Sequence, residues 1–402
     1  MFAEKFDLYS DAFFANPHPT YHQLRAEAPV YWCERWGAWV LTRYADVMTV
    51  LRQPERFSSA GRVHHLLRQL PEATLNQLDV LSHHYTIGLA HSDPPDHTRL
   101  RTLLNKVFMP RMVEARKARV VEIVNERLDA AQAAGEMDIV HDLAYPLPAT
   151  IIAEMIGAPT EDIGLFREWA VAINNLFALG GRVDAAAAHA AQNSVLDMRD
   201  YIAGLVEVRK QQPLEDVLGL LVRAEEQLTL AELVSTAVTF FVAGHETTTN
   251  LISNGLLALL QHPDQLALLR ENPALMPGAV EEMLRYEPSV PRSWRIAKEE
   301  VELGGQVIPQ GALIFPMLAA ANRDPAVFPD PDRFDLQREN NKHVAFGYGI
   351  HFCLGAPLAR MEVSTALEIV LRRLPNLHLT NTPLSYKRDV AIRSLNSLPV
   401  QF

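Results

Sequence analysis

A mainly α-helical fold with a minor β portion, built as one large unit, is what this sequence predicts, and three observations carry the prediction. Apolar residues recur at helical spacing almost without interruption from residue 96 to residue 286. Short alternating runs with turn signals are confined to the flanks, at 30–42, 293–316 and the chain end. No Ser/Gly-rich linker, low-complexity tract or fixed-period repeat divides the 402 residues, so 1–402 is read as a single unit.

Taken in order, a first helix covers 17–28, opened by Pro17 and Pro19 and closed before Pro29. Val30–Trp32 and Ala38–Thr42 alternate like two strands joined at Gly37, and 44–52 returns to helical spacing. Residues 56–92 hold His64, His65, His83 and His84 and many leucines but no clean period; a loop of that length is functional or mobile. Helices are predicted over 96–107, 111–134, 141–156, 161–177, 186–210 and 214–226, with Gly180-Gly181 as a flexible joint. A long helix runs from Thr229 to Leu260. Thr229 and Glu232 open it as a capping box, and His262-Pro263 ends it. Helices at 264–271 and 276–286 follow, then strand-like runs over 293–316, a Pro-rich irregular stretch over 322–353, a last amphipathic helix at 356–374 and short closing strands.

Composition narrows the function classes. A formal net charge of −11 argues against a nucleic-acid binder, which needs a basic stripe to neutralise phosphates. Cys33 and Cys353 are the only two cysteines, too few for a disulfide framework, which fits a reducing cytoplasm. The N-terminus has neither the basic start nor the apolar stretch of a signal peptide, and no window approaches ~18 uncharged apolar residues, so no membrane anchor is expected.

The segment Phe346-Gly-Tyr-Gly-Ile-His-Phe-Cys353-Leu-Gly355 holds the most chemical information. Gly347, Gly349 and Gly355 open the backbone to close approach. Cys353 lies just before a predicted helix start, where free N–H groups and the helix dipole favour a thiolate. The glycine spacing does not match a dinucleotide loop, and His343, His351 and Cys353 lack zinc-site spacing. On its own the loop suits either a buried structural cysteine or a thiolate ligand for a flat macrocycle.

Ala243-Gly-His-Glu-Thr-Thr248 sits midway along the long helix. Gly244 costs about 1 kcal/mol there relative to Ala, and Thr247 can bond back to the Ala243 carbonyl and bend the helix. The combination reads as a groove for a small molecule such as O2, with Phe240 on the same face and Glu246 and Thr247 offering a carboxyl and a hydroxyl for proton delivery. A plain amphipathic helix with a solvated His-Glu pair remains the alternative. Glu282 and Arg285, three apart on a helix, mean little alone.

Together and in this order, the three segments resemble the cytochromes P450. Phe346, Gly349, Cys353 and Gly355 match the family's cysteine loop, Ala243-Gly244 with Glu246-Thr247 its oxygen-activation motif, and Glu282-x-x-Arg285 its buried ion pair, which Arg333 is expected to complete as a triad. The resemblance implies the P450 fold and a haem b whose iron is bound by Cys353. It implies propionate contacts from His97, Arg101, Arg295 and His351, and a cofactor bed that includes Ala243, Gly244, Phe346, Gly347 and Gly355. It assigns Thr247 to holding the oxygen during its activation and Glu246 to proton supply. Pocket walls are expected from Leu81, Ile87, Phe177, Phe240, Ala243, Val290 and Leu395, and Arg62 or Arg68 is a weaker candidate anchor for a carboxylate.

Peroxide-driven members of the family typically carry Arg-Pro where this chain has Glu246-Thr247. The resemblance therefore implies a monomeric O2-dependent monooxygenase of a lipophilic small molecule: a terpenoid, steroid or polyketide, and next a fatty acid. Its electrons are expected from a ferredoxin and an NAD(P)H-linked ferredoxin reductase, docked on Arg111, Arg116, Arg119, Lys342 and Arg360. A peroxygenase and a non-catalytic haem sensor or electron carrier are the competing readings.

Overall fold

Helices do form along 96–286, and strands keep to the flanks except for Glu136–Asp138, which pairs with the chain end. A computed structural model describes residues 5–214, 216–224 and 228–402 of the chain. Its first half contains α1 (Asp11–Ala15), α2 (His18–Glu27), β1 (Val30–Cys33), β2 (Ala38–Leu41), α3 (Tyr44–Arg52), β3 (Phe57–Ser58), α4 (Arg62–Leu67), α5 (Glu72–Leu75) and α6 (Asp79–Ile87). Then come α7 (Asp96–Leu104), α8 (Pro110–Glu114), α9 (Lys117–Gln132), β4 (Glu136–Asp138), α10 (Pro146–Ile156), α11 (Ile163–Asn175), α12 (Ala185–Gln211) and α13 (Val217–Arg223). The second half has α14 (Leu230–Gln261), α15 (Pro263–Glu271), α16 (Met276–Tyr286), β5 (Arg295–Ala297), β6 (Val301–Leu303), β7 (Gln306–Ile308), β8 (Leu313–Pro316), α17 (Leu318–Ala321), α18 (Ala356–Arg373), β9 (His378–Leu379) and β10 (Pro399–Gln401).

Several predicted elements change shape. The helix expected over 111–134 breaks at Ala115-Arg116 into α8 and α9. The one expected over 141–156 begins as a π-helical turn, Ile139–Ala144, because Pro146 and Pro148 only suit the start of an α-helix. Ile139–Ile156 is long and apolar enough to cross a membrane, but 72% of it is buried within the protein. The helix expected over 214–226 is present as α13, and residues 215, 225 and 226 of that expectation lie outside the described residues. The 56–92 segment is not a loop: it folds into α4, α5 and α6.

The long helix α14 organises the main core. Thr229 Oγ1 accepts the Glu232 N–H, and the Glu232 carboxylate accepts the Thr229 N–H at 2.8 Å, closing the predicted capping box. It is buried on nearly all sides from Leu233 to Val238 and from Thr248 to Leu259, while the stretch between them opens one face, with Ala243 exposed, so α14 runs through the molecule's interior and lines a gap at its middle. While β4-β10-β9 and β6-β7 form two smaller sheets, the other five strands assemble into a sheet of order β1-β2-β8-β5-β3, in which only β2 and β8 run parallel. Gly37 makes the β1–β2 turn with φ +58°. That sheet carries Arg295 at the start of β5, opposite Ile314.

Gly180-Gly181 is not a flexible joint. Both residues are buried, and Gly181 lies so close to the Trp36 carbonyl that any side chain would collide with it. This turn is a packing contact with the N-terminal apolar cluster.

The buried ion pair on α16 forms, but with a different third arginine. Arg285 binds Glu282 through Nε–Oε2 and Nη2–Oε1, both 2.8 Å, and both side chains are fully buried. Arg338 donates its Nε to both Glu282 oxygens at 3.2 Å, while the Asp335 N–H and Asn341 Nδ2 also donate to this carboxylate. The Arg333 side chain is 63% exposed and lies 4.0 Å from Asp335. Arg333 contributes only its carbonyl, which accepts from Arg285 and Arg338. The tail 329–341 wraps round Glu282 and thereby fixes the approach to the cysteine loop.

Candidate active site

The cysteine loop is shaped by its own backbone. The Gly347 N–H donates to the Val344 carbonyl at 2.8 Å, the Phe352 N–H to Gly349 at 3.0 Å, and the Cys353 N–H to Phe346 at 2.9 Å. Gly347 and Gly349 adopt φ +72° and +74°, which L side chains resist. A Cβ on Gly349 would also sit 2.6 Å from the Leu51 carbonyl, so this glycine serves packing against α3. Gly355 is the N-cap of α18.

Burial pushes the Cys353 thiol pKa up, and the Gly355 and Ala356 N–H groups with Arg101 and Arg360 pull against it. The expectation of a depressed pKa is therefore not met by the protein alone. A metal bound to the sulfur would favour its anionic form.

Four of the expected cationic residues meet beside this loop, on α7, β5 and the loop itself. His97 is 2% exposed and its ring lies 4.3 Å from that of His351. Arg101 donates Nη1 to the Phe352 carbonyl at 2.7 Å, and buried Arg295 donates to the Trp294 carbonyl at 2.7 Å and Ser293 Oγ at 3.0 Å. Arg62 joins them: it donates to the Trp294 carbonyl at 3.1 Å and to the Ala90 carbonyl. Neither a surface cation nor a substrate anchor, Arg62 is 5% exposed at the back of this cluster.

His97 Nε2, His351 Nε2 and Arg62 Nε are buried without a hydrogen-bond partner. Burial, then Arg295 and Arg62, push His351 down to about 2, and burial holds Arg295 down to about 10, with Asp93 alone opposing it. Such an excess of buried donors and positive potential is costly unless an anion meets it. The residues fit a group with two carboxylates lying against a sulfur-ligated centre, as haem propionates do.

On α14, Thr247 Oγ1 donates to the Ala243 carbonyl at 2.8 Å as expected, and Ser289 Oγ donates to the Thr247 carbonyl at 2.8 Å. Ala243 is exposed and Phe240 half-buried. Phe240 meets Phe108 edge-on at 5.4 Å, and Phe108 reaches Gly355, so this face of α14 is joined to the cysteine loop. Gly244 serves helix packing. A Cβ there would lie 2.6 Å from Ile152, so its bare Cα lets α10 pack against α14. Glu246 is bound by Asn174 Nδ2 and lies 3.6 Å from Lys387 Nζ, so its carboxylate links α14 to the end of α11 and to the C-terminal segment.

The expected pocket walls divide into two sets. Leu81 and Leu395 are fully buried in the main apolar core, whereas Ile87, Phe177, Phe240 and Val290 are half-buried. Phe177 stacks edge-on between Tyr85, at 5.8 Å, and Trp294, at 5.1 Å. Tyr85, Trp294, Phe108, Asn174 and Lys387 were not named individually from sequence; none belongs to a motif, and each is placed by long-range packing.

The model of the family described as Cytochrome P450 matches residues 36–396. The chain is 42% identical to "Cytochrome P450 monooxygenase PikC" of Streptomyces venezuelae, over 97% of this chain and 92% of that one. It is 37% identical to "Biotin biosynthesis cytochrome P450" of Bacillus subtilis (strain 168), over 98% of each. Its fold is similar to that of P450BioI solved with hexadec-9Z-enoic acid ligated acyl carrier protein, with a TM-score of 0.90 and 37% identity, covering 98% of this chain and 100% of that one.

Proposed function

Because this chain belongs to the cytochrome P450 family, whose members are haem b monooxygenases, we propose that Cys353 would hold the haem iron, that a ferredoxin and its NAD(P)H-linked reductase supply its electrons, and that its substrate is a medium or large lipophilic molecule. The observation that carries the site assignment is the set of unpartnered buried nitrogens of His97, His351 and Arg62 beside the cysteine loop. Haem with an axial thiolate, when bound, supplies the electron push that favours O–O cleavage.

The chain's own residues do the rest. The Gly355 and Ala356 N–H groups and Arg101 favour negative charge on the Cys353 sulfur. Arg62, His97, Arg101, Arg295 and His351 bind the propionates. The Thr247 hydroxyl commits its proton to the Ala243 carbonyl, which leaves its lone pairs to accept a hydrogen bond on the open side of α14. Glu246 is the carboxylate through which protons reach that side, and partly exposed Lys387 connects it to solvent.

The test is the ferrous–CO spectrum of haem-loaded protein, expected to be of thiolate type; a histidine-type band would overturn the assignment. With a substrate and redox partner in hand, Thr247→Ala is expected to retain haem and consume NAD(P)H while product per reductant falls about tenfold or more. Hydrogen peroxide should account for the difference. Full coupling in this variant would remove Thr247 from its role.

Half-buried Ile87, Phe177, Phe240 and Val290 support a lipophilic substrate such as a terpenoid, steroid or polyketide. The acyl-carrier-protein complex of the similar P450BioI favours a second reading, a fatty acyl chain. A low-to-high-spin shift of the ferric form on adding each class separates them. For the ferredoxin dock, exposed Arg111 and Lys342 and half-buried Arg116 are the better candidates. Arg119 is committed to Glu122 and Glu154, and Arg360 to Glu281. Docking that strengthens with added salt would count against a charged dock.

A further inference from the structure

Two adjacent glutamates of α16 serve different clients. Glu282 turns to the buried arginines, whereas Glu281 faces the cysteine loop and grips both of its ends. Glu281 Oε1 accepts from Arg360 Nε at 2.6 Å, and Oε2 accepts from Arg360 Nη2 at 2.8 Å. Oε2 also pairs with His343 Nε2 at 3.1 Å, and the His343 side chain is 4% exposed. His343 Nδ1 accepts the Ala345 N–H at 3.2 Å, so the ring proton resides on Nε2 and is donated to Glu281. His343 precedes the loop that holds Cys353 and Arg360 follows it, so one carboxylate ties its entry to its exit. The guanidinium of Arg360 also lies over the Phe346 ring, 4.7 Å from its centroid. Against burial, Arg360 and His343 hold the Glu281 carboxyl down to about 2, so it is ionised at neutral pH. Arg360 sits in the second turn of α18, whose N-cap Gly355 lies two residues after Cys353, so its charge is held beside the loop that carries the sulfur.

We propose that Glu281 is a positioning residue for the haem-thiolate centre: it closes the cysteine loop through His343 and Arg360 and, by neutralising Arg360, sets the electrostatic potential at the Cys353 sulfur. The proposal rests on the assignment of Cys353 as the haem ligand. Its consequence is a pair of opposite shifts. Glu281→Gln leaves the Arg360 charge uncompensated and favours the reduced centre. Arg360→Met leaves the Glu281 charge uncompensated and disfavours it.

The experiment is spectroelectrochemical titration of the haem-loaded full chain and its variants, alongside the ferrous–CO spectrum. At a fixed applied potential the ferrous-to-ferric ratio is expected to rise about threefold or more in Glu281→Gln and to fall by a similar factor in Arg360→Met. The double variant should return close to the parent. Arg360→Lys keeps the charge but loses the fork; its ratio should match the parent while its thiolate-type ferrous–CO band decays faster. A parent protein with the thiolate-type band but no shift, or shifts of one sign in both single variants, overturns the proposal alone. A parent without that band overturns it together with the reading on which it rests.

Discussion

Glu282→Ala is expected to cost about 3–5 kcal/mol, the loss typical of removing one partner from a buried ion pair. That is a large part of the ~5–15 kcal/mol available to a folded protein, so little folded, haem-loaded enzyme should accumulate. The Glu282 carboxylate is fully buried and serves Arg285, Arg338, Asn341 and the Asp335 N–H together. Its removal leaves two guanidinium groups facing each other with no anion between them. The two arginines at issue should separate clearly. Arg338→Ala removes one donor from Glu282 but leaves the Arg285 pair intact, which predicts about 1–3 kcal/mol. Arg333→Ala removes an exposed side chain and should stay within about 0.5 kcal/mol. Urea midpoints of the three variants check the order; an Arg333 variant as damaged as the Arg338 one would contradict the network.

That contrast marks the boundary of what the sequence could tell. The Glu282–Arg285 pair was legible because three residues on a helix bring two side chains together whatever surrounds them. The third arginine was not, because a Pro-rich irregular tail decides which guanidinium turns inward, and tails carry no period. Likewise the capping box at Thr229–Glu232 was legible and formed, since both bonds lie within one turn. The 56–92 segment hid three helices because they are held by distant partners. Ser82 Oγ bonds His64 Nε2 at 2.6 Å, and the Leu81 N–H bonds Gln192 at 3.2 Å. Arg62 was missed as a member of the cationic cluster for the same reason. Gly244 was legible as special, and its packing partner, Ile152 across the helix interface, was not, because that contact is set by tertiary packing.

Cys353→Ser should abolish monooxygenation while leaving the fold in place. The loop's hydrogen bonds run through backbone groups, the Cys353 N–H to Phe346 and the Phe352 N–H to Gly349, and none needs the sulfur. A serine hydroxyl is slightly smaller and fits the same space. It does not ionise readily, so the electron push of an axial thiolate is lost even where haem remains bound. Some haem should remain, because Arg62, His97, Arg101, Arg295 and His351 offer the propionates their bonds independently of the ligand. The complementary variant, Arg295→Ala, removes a buried charged donor that contributes about 1.5–3 kcal/mol. It is expected to lose haem about tenfold or more faster, yet keep the thiolate-type ferrous–CO band in whatever stays loaded. Measured side by side, haem dissociation rates and ferrous–CO spectra divide holding the cofactor from activating it. A serine variant that still turned over, or an arginine variant that lost the thiolate-type band before it lost haem, would show that the two sets of residues do not divide the work in this way.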